Sequence, residues 1–337
     1  MLQRETAESP ERRHAALAGL RAFQDEPRGP ERRPKPARVR KGRVRLRDFG
    51  KNGVPGRPVI FVPSLINSSD ILDLSPDLSL LQWLAAKGMR PLLVDWGAPP
   101  QRDRSMDLTE HVERLLLPLI ARVTERLGEP PVLAGYCLGG TMTLAAACAT
   151  RVAGLAMIAA PWRFAGFGQG RADIESLWAT AKPGCERIGL VPMEVLQTGF
   201  WRLDPARTIS KYEAFARMEP GSPAWQAFVA LEDWANGGAP LPVGAGRQLM
   251  EDFVADDLPG SGMWRVAGSL ADPARLDCPA IEFVSRHDKI VPAASAAGLP
   301  DRRDLAAGHV GMIVGSRRRT ELWEPLAHWL SALPRPK

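Results

Sequence analysis

The sequence predicts an α/β protein: a mostly parallel sheet with helices on both faces and an inserted helical cap. The first observation is that short apolar runs of strand length alternate with helical patterns over the first half of the chain, which favours a parallel sheet. The second is that this alternation returns near the end of the chain. Between these two parts, residues 162–270 show only helical segments broken by Pro and Gly, which indicates an insertion.

Core strands are predicted where the chain has short runs rich in apolar and β-branched residues. These runs cover residues 44–48, 58–63, 90–96, 131–136, 152–160 and 279–284. The spacing of apolar residues predicts helices over residues 75–87, 108–127 and 319–330. A turn is predicted at residues 50–53, where two glycines flank Lys and Asn.

The elements divide the chain into three parts. Residues 44–161 and 271–335 form the predicted core, and residues 162–270 form the predicted cap, which is rich in Trp and Phe. Residues 1–43 are rich in Lys, Arg and Pro, so we expect a mostly disordered basic arm. From Arg28 to Arg47 no aromatic residue is interleaved with the charges, which argues against a nucleic-acid surface and leaves a solvated tail or an anionic surface.

Composition excludes several classes of protein. The chain is 45% hydrophobic and has no run of about 18 apolar residues, so no transmembrane segment is expected. The N-terminus lacks the apolar core of a signal peptide, which predicts a cytoplasmic protein. The chain has four cysteines, which predict free thiols in a cytoplasmic protein. These cysteines form no C-x-x-C pair and the five histidines are scattered along the chain, so no metal site is expected.

The segment around Cys137 carries the strongest chemical signal. An apolar strand ends in Gly135-Tyr-Cys-Leu-Gly139 and passes directly into a helical pattern. This is the nucleophile elbow of the α/β-hydrolase fold, with Cys in the place usually taken by Ser. The helix start favours a thiolate and turns the amide of Leu138 toward a developing oxyanion. The alternative is that Cys137 is a buried apolar residue.

A thiol nucleophile needs a base and an acid that orients the base. Asp288 follows the predicted strand 279–284, and His309 lies on a glycine-flanked loop before the last helix, which is the chain order of this fold. We therefore predict Asp288 as the acid and His309 as the base; ordinary turn and loop roles are the alternative. His111 and His328 fall within predicted helices, which favours surface or packing roles.

A second oxyanion donor is expected from the loop after strand 58–63. The donor is a backbone N–H, so the sequence leaves Leu65 and Ile66 as equal candidates.

Several motifs in the same order resemble the polyhydroxyalkanoate (PHA) synthase family, nearest its short two-subunit class. They cover about residues 45–332 and comprise Phe61-Val-Pro-Ser-Leu-Ile-Asn67, Val94-Asp-Trp-Gly97, Gly135-Tyr-Cys-Leu-Gly-Gly-Thr141, Leu231-Glu-Asp-Trp234, His287-Asp-Lys-Ile-Val-Pro292 and Gly308-His-Val-Gly311. The chain departs from that family at Lys289, where His usually follows the acid, and at Pro100, where an acid is usual.

The resemblance implies an acyltransferase that moves 3-hydroxyacyl groups from CoA through an acyl-Cys137 intermediate to a hydroxyl acceptor. It implies no cofactor besides acyl-CoA as substrate, a second synthase subunit or a homo-oligomer as the active form, and association with a polymer granule. Two alternatives stay open. One is a thioesterase or esterase of the same fold, in which water is the acceptor; the other is a non-catalytic protein that binds granules or a partner.

Overall fold

The computed structural model describes residues 2–29, 32–50 and 56–334. Its main sheet has eight strands: β1 Ala37–Lys41, β2 Val44–Asp48, β3 Arg57–Val62, β4 Met89–Asp95, β5 Val132–Tyr136, β6 Gly154–Ile158, β7 Ala280–Ser285 and β8 Asp301–Leu305. Their spatial order is β1-β2-β4-β3-β5-β6-β7-β8. The six strands from β4 to β8 in this order are parallel, and β1 and β2 add an antiparallel hairpin at one edge. The predicted α/β class with a mostly parallel sheet is confirmed.

Helices precede, connect and cover the strands. They are α1 Leu2–Glu5, α2 Pro10–Asp25, α3 Leu80–Ala86, α4 Leu108–His111, α5 Leu117–Leu127, α6 Leu138–Ala149, α7 Gln169–Ile188, α8 Met193–Leu203, α9 Pro205–Phe215, α10 Pro223–Asn236, α11 Val243–Arg247, α12 Gly311–Val314 and α13 Glu324–Ala332. Turns of π-helix continue α4, follow α11 and precede α13, at Val112–Leu116, Gln248–Ala255 and Arg319–Trp323. Short 3₁₀ helices lie at Ser69–Leu72, Gln101–Asp103, Phe164–Phe167, Pro273–Arg275 and Ala293–Ser295.

The two faces of the sheet are buried in two separate apolar cores. Every residue of β3, β5 and β6 is buried. In β3, Ile60 and Val62 belong to one core, whereas Val59 and Phe61 belong to the other. Successive side chains of a strand point to opposite faces, so this division shows that helices pack on both sides of the sheet.

The segment between β6 and β7 contains α7 to α11, as the predicted cap requires, with only two-residue strands among its described residues. These strands pair Leu190–Val191 with Leu241–Pro242, and Arg265–Val266 with Ser269–Leu270. Most of the cap's aromatic side chains are buried, so they serve mainly as its own core. Trp201, which is 41% exposed, is an exception.

The expectation of a mostly disordered arm over residues 1–43 does not match the structure. Helix α2 begins after Ser9, whose hydroxyl caps it, and packs on α9 so closely that a Cβ at Gly19 would lie 2.0 Å from the carbonyl oxygen of Tyr212. Phe23 joins a small core of the cap, and β1 pairs with β2. The dense charge of the segment concealed the apolar face of α2, because that face is completed only by the cap.

Element boundaries differ from the predictions in a few places. The helix predicted over residues 75–87 begins at Leu80, because the hydroxyl of Ser79 caps it. Strand β8 was not predicted, since its residues are mostly charged and it forms an edge of the sheet. Most of the turn predicted at residues 50–53 lies outside the described residues. Among the helices that the structure describes, none combines the length and apolar character needed to cross a membrane.

Candidate active site

Cys137 sits at the sharp turn between β5 and α6, as the elbow prediction required. Its φ is 55° and its ψ is −132°, a backbone conformation that costs free energy for a residue with a side chain. The turn also demands glycines on both sides. A Cβ at Gly135 would lie 2.3 Å from the hydroxyl oxygen of Thr143, and one at Gly139 would lie 2.0 Å from the carbonyl oxygen of Val62. Cys137 itself is partly exposed and has a free thiol.

His309 lies on the loop between β8 and α12, close enough to Cys137 for this residue to raise the pKa of its ring. Tyr136, the residue before the nucleophile, packs beside this ring with the two ring centres 5.0 Å apart. The phenol of Tyr136 donates a hydrogen bond of 3.2 Å to the backbone oxygen of His309. Burial raises the pKa of Tyr136 well above 10, so the phenol stays a neutral donor. Tyr136 thus fixes both the ring and the backbone of His309.

Asp288 follows β7 and completes the group. Its Oδ2 lies 2.7 Å from Nδ1 of His309, and its side chain is fully buried. Its Oδ1 accepts the backbone N–H groups of Ile290 at 2.8 Å and Val291 at 2.9 Å. Asp288 is therefore held by its own loop with one oxygen turned to the imidazole. The structure brings all three predicted residues, from three separate loops, together at one site.

The electrostatics of this group favour a protonated His309. Burial alone would lower the pKa of His309, but the charge of Asp288, its hydrogen bond to the ring and the nearby Cys137 raise it above 6.5. A raised pKa keeps the imidazole protonated at neutral pH. A cysteine beside a protonated histidine is the environment in which reactive cysteines occur.

The surroundings of the loop after β3 distinguish the two candidate oxyanion donors. The N–H of Ile66 already donates to Oγ of Ser64 at 3.0 Å. Among the residues that the structure describes, the N–H groups of Leu65 and Leu138 have no hydrogen-bond acceptor. Leu138 is the first residue of α6, where an N–H has no partner within the helix. The geometry therefore favours Leu65 over Ile66 as the companion of Leu138.

The other histidines lie elsewhere. His287 and His328 are exposed, and His111 is buried in the core beside Arg43. Sequence reasoning did not single out Tyr136 or Ser64. The contact of Tyr136 with His309 forms only on folding, whereas that of Ser64 with the N–H of Ile66 is local but not fixed by the sequence. Within the described ranges, no group of His, Cys, Asp and Glu residues is arranged to hold a metal ion.

An ion pair joins the cap to the acid loop. Nζ of Lys289, next to Asp288, lies 2.8 Å from Oδ2 of Asp204 at the start of α9. The same ion pair lowers the pKa of Asp204. The position at which the chain departs from the resembled family thus carries a contact between the cap and the site.

A strained nucleophile turn, an acid after a core strand and a histidine on a late loop define a protein of α/β-hydrolase type. The chain belongs to the alpha/beta hydrolase family, whose model matches residues 59–322.

Within this family, the resemblance to PHA synthases is confirmed by curated relatives. One is the "Poly(3-hydroxyalkanoate) polymerase subunit PhaC" of Haloferax mediterranei, which is 28% identical over 81% of this chain and 58% of that protein. The protein of the same description from Allochromatium vinosum is 25% identical over 81% of this chain and 80% of that protein. The chain thus spans 58% of the length of the Haloferax relative.

Solved structures share the fold. MenH from S. aureus matches with a TM-score of 0.53 at 12% identity, over 85% of this chain and 97% of that one. The alpha/beta hydrolase GrgF from Penicillium sp. sh18 matches with a TM-score of 0.52 at 18% identity, over 86% of this chain and 94% of that one. At such low identities these matches show the fold alone.

Proposed function

We propose that this chain is an acyltransferase that moves 3-hydroxyacyl groups from CoA thioesters, through a thioester on Cys137, to a hydroxyl acceptor. The observation that carries the proposal is the grouping of Cys137, at the strained elbow, with His309 and the buried Asp288 to which His309 is hydrogen-bonded. Similarity to the PhaC subunits supports the substrate class. The proposal thus combines the geometry of the site with similarity to relatives that are named as polymerase subunits.

The first half-reaction forms the acyl-enzyme. The Cys137 thiolate attacks the thioester carbonyl, and the oxyanion of the tetrahedral intermediate accepts the N–H groups of Leu65 and Leu138. The intermediate collapses with cleavage of the bond between the carbonyl carbon and the CoA sulfur. His309 gives its proton to the departing thiolate, so CoA leaves as a thiol and His309 becomes neutral.

The second half-reaction releases the acyl group. Neutral His309 takes the proton of the acceptor hydroxyl, whose oxygen attacks the acyl-Cys137 carbonyl. An ester forms, the Cys137 thiolate leaves, and the thiolate–imidazolium pair is restored. One thioester is exchanged for another of similar energy in the first step, so the acyl group remains activated for the second. A serine nucleophile would lose part of that activation in a stable ester.

Four features of the proposal follow from the family resemblance. Acyl-CoA is a substrate, and no metal or other cofactor takes part. The active form contains a second synthase subunit or a second copy of this chain. The protein works at the surface of a polymer granule. When the protein works at the granule surface, the cap, residues 162–270, limits the entry of water into the active site.

The test is incubation of the purified chain with 3-hydroxybutyryl-CoA, with measurement of CoA release, intact protein mass and product length. We expect stoichiometric acylation of the wild type and products of more than one acyl unit. Cys137→Ala should fold, yet form no adduct, whereas the matched control Cys148→Ala should acylate normally. Monomeric hydroxy acid as the sole product would instead indicate a thioesterase, and absence of CoA release would indicate a binding protein.

A further inference from the structure

The end of cap helix α10 and the loop after β3 are joined by hydrogen bonds in both directions. Nδ2 of Asn67 donates to the backbone oxygens of Ala235 at 3.1 Å and Gly237 at 3.2 Å. In return, the indole Nε1 of Trp234 donates to the backbone oxygen of Ser68 at 2.9 Å. The last carbonyl groups of a helix have no partners within the helix. A side chain from the core loop therefore completes this helix end in the cap.

The two backbones also approach each other closely. Asn67 has a φ of 63°, the left-handed region that Asn tolerates better than most residues with a side chain. Opposite it stands Gly238, with a φ of 131°, where a Cβ would lie 3.0 Å from Cα of Asn67. The contact thus needs a glycine in the cap and a residue with a left-handed backbone conformation in the loop. The two backbones can therefore shift little relative to each other.

The candidate oxyanion donor lies between two fixed points of this loop. Across it, Oγ of Ser64 accepts the N–H of Ile66, and before it the indole of Trp96 donates to the backbone oxygen of Pro63 at 3.1 Å. After it come Asn67 and its contact with the cap. The direction of the Leu65 N–H is therefore set by the core on one side and by the cap on the other.

We propose that Asn67 and Trp234 are positioning residues that couple the seating of the cap to the direction of the Leu65 N–H. With the cap seated, the donor faces the carbonyl oxygen that becomes negative during attack by Cys137. When α10 lifts, the loop loses its second fixed point and the donor is no longer held. The proposal rests on the acyl transfer proposed above and assigns to it a step in which cap closure completes the oxyanion site.

Two ion pairs of the N-terminal segment accompany this contact and are weaker. Arg28 bridges to Asp233, with a shortest distance of 2.8 Å between side chains that are 37% and 42% exposed. Arg32 bridges to the carboxylate of Asp73 at 3.3 Å. Exposed pairs of this kind contribute little because water and salt screen them. The residues to substitute in a test are therefore Asn67 and Trp234, whose hydrogen bonds join the loop to the cap.

The experiment compares two reactions of the same thiol. Acylation by 3-hydroxybutyryl-CoA needs the oxyanion donors, whereas alkylation by iodoacetamide needs only the thiolate. Asn67→Gly removes the amide but tolerates the left-handed φ, and Trp234→Phe removes the indole N–H but keeps an aromatic ring. Since one oxyanion donor is worth about 10²–10³ in rate, a displaced donor should slow single-turnover acylation by about 10- to 100-fold in each variant. Alkylation should stay within about twofold of wild type, because the thiolate does not depend on this donor.

Matched controls remove the same groups from cap residues that donate within the cap and not to the loop after β3. The amide of Asn236 donates within α10 to the backbone oxygen of Glu232, and the indole of Trp178 donates to Glu251. Asn236→Ala and Trp178→Phe should acylate normally. Unchanged acylation in Asn67→Gly overturns the inference, as does a parallel fall in acylation and alkylation. Absence of acylation in the wild type instead removes the proposed function, and this inference with it.

Discussion

Replacing Asp288 by Asn should reverse the polarity of its contact with His309. The backbone N–H groups of Ile290 and Val291 both donate to Oδ1 of Asp288, so an Asn at this position must keep its oxygen there. Its NH₂ group then takes the place of Oδ2, 2.7 Å from Nδ1 of His309. Two donors cannot face each other, so Nδ1 must become the acceptor. The single proton of the neutral ring moves to the nitrogen that faces Cys137.

In that tautomer His309 cannot take the proton of the thiol. The equivalent loss of the correct tautomer in a hydrolytic triad costs about 10⁴ in rate. We therefore expect single-turnover acylation by 3-hydroxybutyryl-CoA to fall by about 10³–10⁴, or about 4–5.5 kcal/mol of activation free energy. The assay is the rate of CoA release at neutral pH under single-turnover conditions.

The pH dependence of alkylation tests the charge on the ring. Asp288 raises the pKa of His309, so its loss must lower that pKa and remove the imidazolium that stabilises the thiolate at neutral pH. Iodoacetamide should then react slowly with Asp288→Asn at neutral pH and recover at alkaline pH, where the thiol ionises unaided. Asp272→Asn is the matched control, since the carboxylate of Asp272 accepts a local backbone N–H, that of Ala274. Acylation of Asp288→Asn within tenfold of wild type would refute this reasoning.

Two further predictions concern stability. Burial lowers the pKa of His111 from 6.5 to about 4, so the unfolded state binds its proton more strongly, and acidification across this range should remove about 3 kcal/mol of folding free energy. Urea unfolding should show this loss in wild type and a smaller one in His111→Gln. Deleting residues 1–29 should lower the midpoint of thermal unfolding by roughly 5 °C, because it exposes the cap core that Phe23 covers. An unchanged midpoint would mean that α2 adds nothing to the cap.

The core of the fold was predictable because its signals are local. The strand predicted over residues 131–136 is Val132–Tyr136, and the one predicted over residues 279–284 is Ala280–Ser285. Such runs are buried on both faces, so hydrophobicity alone marks them. Strand β8 carries mostly charged residues, and β1 lies at the other edge of the sheet. Neither strand therefore has the apolar run that identifies a buried strand in the sequence.

The positions of the candidate site residues were predictable to a similar degree. Cys137, Asp288 and His309 each follow a recognisable strand or glycine-flanked loop, and the chain order of the fold places them together. Their catalytic roles remain predictions. The helix α2 was missed for a different reason: its apolar residues are few and interspersed with charge, and its burial depends on α9, nearly two hundred residues later.

The oxyanion donor in the loop after β3 could not be predicted from the sequence. Leu65 and Ile66 are adjacent apolar residues whose N–H groups are chemically identical, so no property of the side chains separates them. What separates them is the hydroxyl of Ser64, which accepts one of the two N–H groups. A serine two residues before an N–H can form this turn, but other conformations are open to it. The contact of Asn67 with α10 excludes many of them, and that contact exists only once the cap is in place. The proposed choice of Leu65 as donor therefore depends on the assembled core and cap.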